Sequence, residues 1–121
     1  MNTNPYRPIL DALLALDDKR LARGRLYDED LKCGCAMGAF IPASLREATG
    51  EDYSVAVVER DGTTDFVTDE FEDYCTPLGV TAAAAFKTQC LNDSTLFADQ
   101  TPEARYQRVV TALTEWAKEE P

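Results

Sequence analysis

The sequence predicts an α+β fold: a mostly helical single domain over residues 1–121, with three to four helices and one β-hairpin at about 53–68. Three observations lead there. Apolar residues recur at helical spacing near both ends of the chain, as in Ile9, Leu10, Leu13, Leu14 and again in Tyr106, Val109, Val110, Leu113. Between them, valines around an Asp61-Gly62 step change the pattern to that of two short strands. With 121 residues, 45% hydrophobic and 28% charged, the chain can build one real core and does not have a disordered composition.

Asn4-Pro5 offers a cap and a first helical proline, and Pro8 still lies in the first turn. The apolar spacing through Leu16, with Arg20 and Arg23 ahead of Gly24, predicts a helix at about 5–23. Cys35 to Ile41 is small and apolar, which suits a buried helix that Pro42 divides, giving a broken helix at roughly 35–49. A two-residue Asp61-Gly62 loop pairs Arg60 with Thr63, Val58 with Asp65, and Val57 with Phe66. Tyr53, Val55, Val57 and Phe66 then share the inward face, while Asp65 and Asp69 look outward and Asp61 sits at the tip. Asp69 as cap and Glu72 in a capping-box position open a short helix that Pro77 and Gly79 end. Thr81 to Leu91, with its alanine run, reads as a buried helix broken by Asn92-Asp93-Ser94. Thr101-Pro102-Glu103 starts the last helix, about 102–119, with Trp116 on its apolar stripe.

Charge is concentrated. The net of −10 is almost all carried by residues 51–73, where Glu51, Asp52, Glu59, Asp61, Asp65, Asp69, Glu70, Glu72 and Asp73 face a single base, Arg60. Like charges this dense repel one another and call for an external reason such as a basic partner. A solvated hairpin edge that resists aggregation is the plain alternative. Acidity counts against direct contact with nucleic acid or anionic membrane, both of which are approached through Lys and Arg. No apolar run reaches membrane-spanning length, and the first residues lack the basic and apolar regions of a signal peptide, so a cytoplasmic protein is expected.

The chain has no histidine, which removes Ser-His and Cys-His nucleophile pairs and imidazole metal ligation. Cys33, Cys35, Cys75 and Cys90 depart from the paired spacing of zinc sites and from the C-x-x-C redox motif. Buried free thiols are therefore expected, with a metal or thiol site on these four as the alternative. The stretch Asp61 to Asp69 has oxygen ligands but its glycine and closing acid do not fit a calcium loop. No glycine-rich phosphate loop or serine-hydrolase elbow is present, and no cofactor is indicated.

Cys35-Ala36-Met37-Gly38-Ala39, and Asn92-Asp93 followed by Thr101 opening a helix with Val109, Val110 and Leu113, resemble a family of small uncharacterised bacterial and phage proteins. The resemblance implies a compact helical domain of mobile-element origin, without an assigned activity. The acidic stretch lies outside the matched patterns. The expectation is thus a non-enzymatic acidic protein that occupies a basic, nucleic-acid-binding surface of a protein partner, in the manner of a phage anti-defence inhibitor. The alternatives are a thiol- or metal-dependent protein using the four cysteines, and an oligomeric structural protein with a solubilising acidic face. Oligomeric state is not encoded in any pattern visible in the chain.

Overall fold

In a computed structural model of the chain, the structure describes residues 4–22, 26, 33–42, 45, 56–94 and 101–118. Its elements are α1 (Arg7–Leu14), α2 (Ala36–Phe40), β1 (Val57–Arg60), β2 (Thr63–Phe66), α3 (Asp69–Cys75) running into a 3-10 turn (Thr76–Leu78), α4 (Ala82–Asp93) and α5 (Pro102–Lys118). This is the α+β class that the patterns predict, mostly helical with a two-stranded antiparallel hairpin. Helices α1 and α5 pack together through Ile9, Leu10 and Leu13 on one side and Tyr106, Val109 and Leu113 on the other, and the same core takes in Met37, Phe40, Val57, Phe71 and Ala85.

The hairpin forms in the expected register, with Val57 opposite Phe66, Val58 opposite Asp65 and Arg60 opposite Thr63. Asp61 at φ 50° and Gly62 at φ 77° supply the two left-handed residues that a tight turn of this twist requires. Val57 is buried and Phe66 is half-buried against the core, so the inward face is also the expected one. Tyr53 and Val55 lie outside the described residues. So do most residues after Pro42 in the expected broken helix; its first half ends at Phe40, and Ile41 turns extended, as a residue before proline does.

Three boundaries differ from the sequence reading. Helix α1 stops at Leu14 rather than near Arg23. Lys19 Nζ donates to the carbonyls of Leu14 and Leu16, both at 3.2 Å, which closes the helix end early. Arg20 then folds back on Asp18 with hydrogen bonds of 2.6–2.9 Å, and these hold the Asp18 carboxyl below its ordinary range. Beyond it Leu21 and Ala22 are fully buried in a segment whose backbone bonds go elsewhere, Leu21 N–H to Pro102 and Ala22 N–H to Gly34. Helix α3 is capped by Thr68, whose Oγ1 accepts from Phe71 N–H at 3.3 Å, so Asp69 is its first helical residue rather than its cap. Finally, α4 runs through Asn92 and Asp93 instead of breaking before them.

The last difference has a cause in tertiary hydrogen bonding. Thr88, Gln89 and Asn92 lie on the buried face of α4, each nearly inaccessible to solvent. Asn92 Oδ1 accepts from Ala36 N–H at 3.0 Å and its Nδ2 donates to the Ala22 carbonyl at 2.8 Å. Gln89 Oε1 accepts from Ala56 and Val57 N–H at 2.6 and 3.1 Å, and its Nε2 donates to the Val57 carbonyl at 3.0 Å. Arg105 Nη1 donates to the Leu21 carbonyl at 2.7 Å. Arg108 donates to the carbonyls of Leu91 and Asn92 at 2.6 and 3.2 Å, capping the end of α4 with a positive charge. Polar side chains thus fasten the irregular segments to the helices.

Two glycines permit the closest backbone approach. A Cβ at Gly34 or at Gly38 would meet the Leu26 carbonyl oxygen, and that atom belongs to backbone rather than to a side chain that can swing away. Replacing Asn92 by Ala leaves a buried N–H and a buried carbonyl without partners, and about 3 kcal/mol of unfolding free energy should be lost. Urea unfolding checks this against Gln107→Ala on the exposed side of α5, which should shift stability by less than about 0.5 kcal/mol. Equal effects from the two substitutions would refute a structural role for the Asn92 amide.

Candidate functional site: an acidic hairpin and helix face

Of the nine acids singled out, Glu51 and Asp52 lie outside the described residues. The other seven, Glu59, Asp61, Asp65, Asp69, Glu70, Glu72 and Asp73, are all exposed. Their positions follow from the local fold. Asp61 occupies the turn and Asp65 points from the outward face of β2 beside Val58. Glu59 shares the inward face with Val57 but lies nearer the turn, and its charge reaches Cys90 on α4. On α3, Phe71 and Cys75 bury one side, so Asp69, Glu70, Glu72 and Asp73 take the remaining arc. Three of these stand in the first helical turn, where the helix dipole favours negative charge.

The fold brings Asp65 and Glu72 to one cleft. Both line an open cleft of about 270 Å³ between β2 and the chain that links α3 to α4. Phe66, Thr64, Thr76 and the stretch from Gly79 to Ala82 complete its walls. Among the described residues, none of the seven carboxylates takes part in an ion pair or accepts a side-chain hydrogen bond. The ion pairs found among those residues, Arg20 with Asp18 and Lys118 with Glu115, are on other parts of the surface.

The cysteines are free thiols with separate environments. Cys33, Cys35 and Cys75 are buried, as small hydrophobes are, whereas Cys90 is exposed and departs from that expectation. Cys35 also caps α2, its Sγ accepting from Gly38 N–H at 3.4 Å. Among the described residues, no group of three or more Cys, Asp or Glu side chains is arranged to hold a metal ion. Burial pushes the Cys35 and Cys75 thiols up to about 11, so both are protonated and poorly nucleophilic at neutral pH. Cys90 is shifted upward too, by partial burial first and then by Asp93 and Glu59.

The residues that sequence reasoning undervalued are Gln89 and Asn92. Their signal was present: with Ala84, Ala85 and Thr88 they repeat at helical spacing on one face, so polar groups stand where a core face is due. Trp116 is half-buried and packs at a tilt against Tyr6, with ring centres 5.2 Å apart, and Lys87 Nζ lies 4.2 Å from its centre. That arrangement ties the N-terminal segment to α5, together with the Asn4 Nδ2 bond to the Trp116 carbonyl at 2.9 Å. None of the helices among the described residues is long and apolar enough to cross a membrane.

Fold and charge together define a small α+β protein with an acidic hairpin and helix face. No protein-family model, curated protein or solved structure matches the chain.

The buried thiols generate a pH expectation. An unfolded cysteine ionises near 9.0, and in the fold Cys35 and Cys75 do so near about 11. Folding therefore favours the protonated thiols, and the stability they contribute is whole below pH 9 and is lost as pH rises towards about 11. Thermal unfolding followed across that alkaline range should show a falling midpoint. The double variant Cys35→Ala, Cys75→Ala should start lower and decline less steeply; an unchanged slope would rule out the thiols as the source.

Proposed function

We propose that this chain is a non-enzymatic binding protein whose acidic hairpin and α3 face occupies a basic surface on a protein partner, of the kind that grips nucleic acid. The observation that carries the reading is the state of the seven carboxylates. They are exposed, they come from one short stretch of chain, and among the described residues no cation neutralises them. Carboxylates concentrated on one stretch of chain without counter-charge repel one another, and a basic surface relieves that repulsion while steering the two proteins together. The phage-protein resemblance gives the reading its specific form: a cytoplasmic inhibitor that covers the nucleic-acid groove of a host defence protein.

Affinity capture with the immobilised chain at low and at high salt tests the reading. A basic protein should be retained at about 50 mM salt and released at about 500 mM, because exposed charge pairs are screened over a few ångströms at the higher value. The variant carrying Asp61→Asn, Asp65→Asn, Asp69→Asn and Glu70→Gln should capture at least roughly tenfold less of it, as several exposed ion pairs together provide. Retention that ignores both salt and the four substitutions would sink the proposal.

A further inference from the structure

We propose that the outer edge of β2 is a docking strip on which an extended basic segment of the partner adds to the sheet as a third strand, with its basic side chains against Asp65 and Glu72. This rests on the acidic-surface reading and specifies how the partner is held.

The hairpin has two edges, and they differ. On the β1 side, the N–H and carbonyl of Val57 and the N–H of Ala56 are all bonded to the Gln89 amide, so the start of that edge, at Val57, is closed by a side chain that stands in for a strand. The same bonds fix the ladder phase. Val57 directs its backbone groups away from β2, so Val57 and Phe66 form a pair that does not exchange hydrogen bonds. The bond from Val67 N–H to the Ala56 carbonyl at 2.8 Å is the bonded pair that follows in that alternation. Phe66 and Thr64 therefore point their N–H and carbonyl groups outward from the β2 edge. Among the described residues, no hydrogen bond reaches those groups.

The cleft beside this edge is consistent with a strand as occupant. Thr64, Asp65 and Phe66 are consecutive, yet all three line it. Side chains alternate along a strand, so a cavity over one face would meet every second residue; three in a row mark an approach to the edge. The cleft, about 270 Å³, is open to solvent. Its polar groups set the sign of the occupant. The Asp65 and Glu72 carboxylates flank it, both exposed and without an ion pair among the described residues. Phe66, half-buried, offers apolar surface for the stems of lysine or arginine. A second copy of this chain, at net −10, would bring Asp65 against its own kind. Strand addition of this type gains affinity from the main chain and specificity from side chains that reach flanking pockets.

The test uses an alternating lysine–valine peptide as probe, with amide hydrogen exchange followed residue by residue on the intact chain. The peptide should slow exchange at the Thr64 and Phe66 amides. A peptide of the same sequence and charge, N-methylated at alternate residues, should bind roughly tenfold more weakly because it cannot complete the ladder. Thr64→Pro leaves the bonds between β1 and β2 and every carboxylate in place, removes one outward donor and sets its ring where an added strand must approach, and should weaken the unmethylated peptide to the level of the methylated one. Equal, salt-sensitive binding of both peptides to the unaltered chain would overturn strand addition while leaving the acidic-surface reading intact. Equal binding of an alternating glutamate–valine peptide would overturn the acidic-surface reading itself. Protection of Thr64 and Phe66 that grows with protein concentration and needs no peptide would overturn the proposal by assigning the edge to a second copy. Absence of binding by any peptide would overturn the docking strip.

Discussion

The side-chain amide of Asn92 joins segments that share no secondary structure. One of its atoms receives the first backbone N–H of α2, and another holds the carbonyl of Ala22 in the irregular segment after α1. Gln89, one turn earlier on α4, does the same for the start of β1. Helix α4 is thereby a polar spine against which α2, the Leu21–Ala22 segment and the hairpin are registered. Each of these backbone groups is buried, and a buried polar group without a partner is costly, so the arrangement specifies one geometry more sharply than apolar contact alone would. Arg105 and Arg108 extend it from α5, one to Leu21 and the other to the end of α4. Leu26, seated against Gly34 and Gly38, shows how little tolerance that geometry has.

This spine also gives the hairpin its asymmetry. Gln89 occupies the β1 edge at Val57, whereas among the described residues no hydrogen bond reaches the outward groups of the β2 edge beside Asp65. Structural and functional demands are therefore divided between the strands. Val57 and Phe66 anchor the inward face, and the outward side and the turn carry charge. Charge on an edge strand also discourages uncontrolled pairing with other sheets.

The acidic stretch and the thiols have opposite chemical characters. Seven carboxylates lie in water where they can meet another molecule, whereas Cys33, Cys35 and Cys75 are withdrawn into the core, and Cys35 serves there as a helix cap. Burial holds Cys35 and Cys75 protonated, which suits packing and removes nucleophilicity.

Local signals determined much of this protein. The Asp61-Gly62 step, with valines before it and Phe66 after, encodes a turn with two left-handed residues and hence the pairing register, because turn geometry sets register over so short a range. The threonine-proline start and the apolar stripe likewise encode α5, and the excess of acids in 51–73 was legible by counting. Tertiary structure decided the rest. Helical periodicity continues past Leu14, but Leu21 and Ala22 bond to Pro102 and Gly34, distant residues that outcompete the next helical turn. Asn92-Asp93 has the composition of a helix breaker, yet its amide finds better partners from within the helix than from a turn. Likewise, that Asp65 and Glu72 meet at one cleft beside an open edge depends on how α3 folds back on β2, which no spacing along the chain records. Sequence carries bonds between near neighbours; those between Asn92 and residues far from it exist only once the chain has closed.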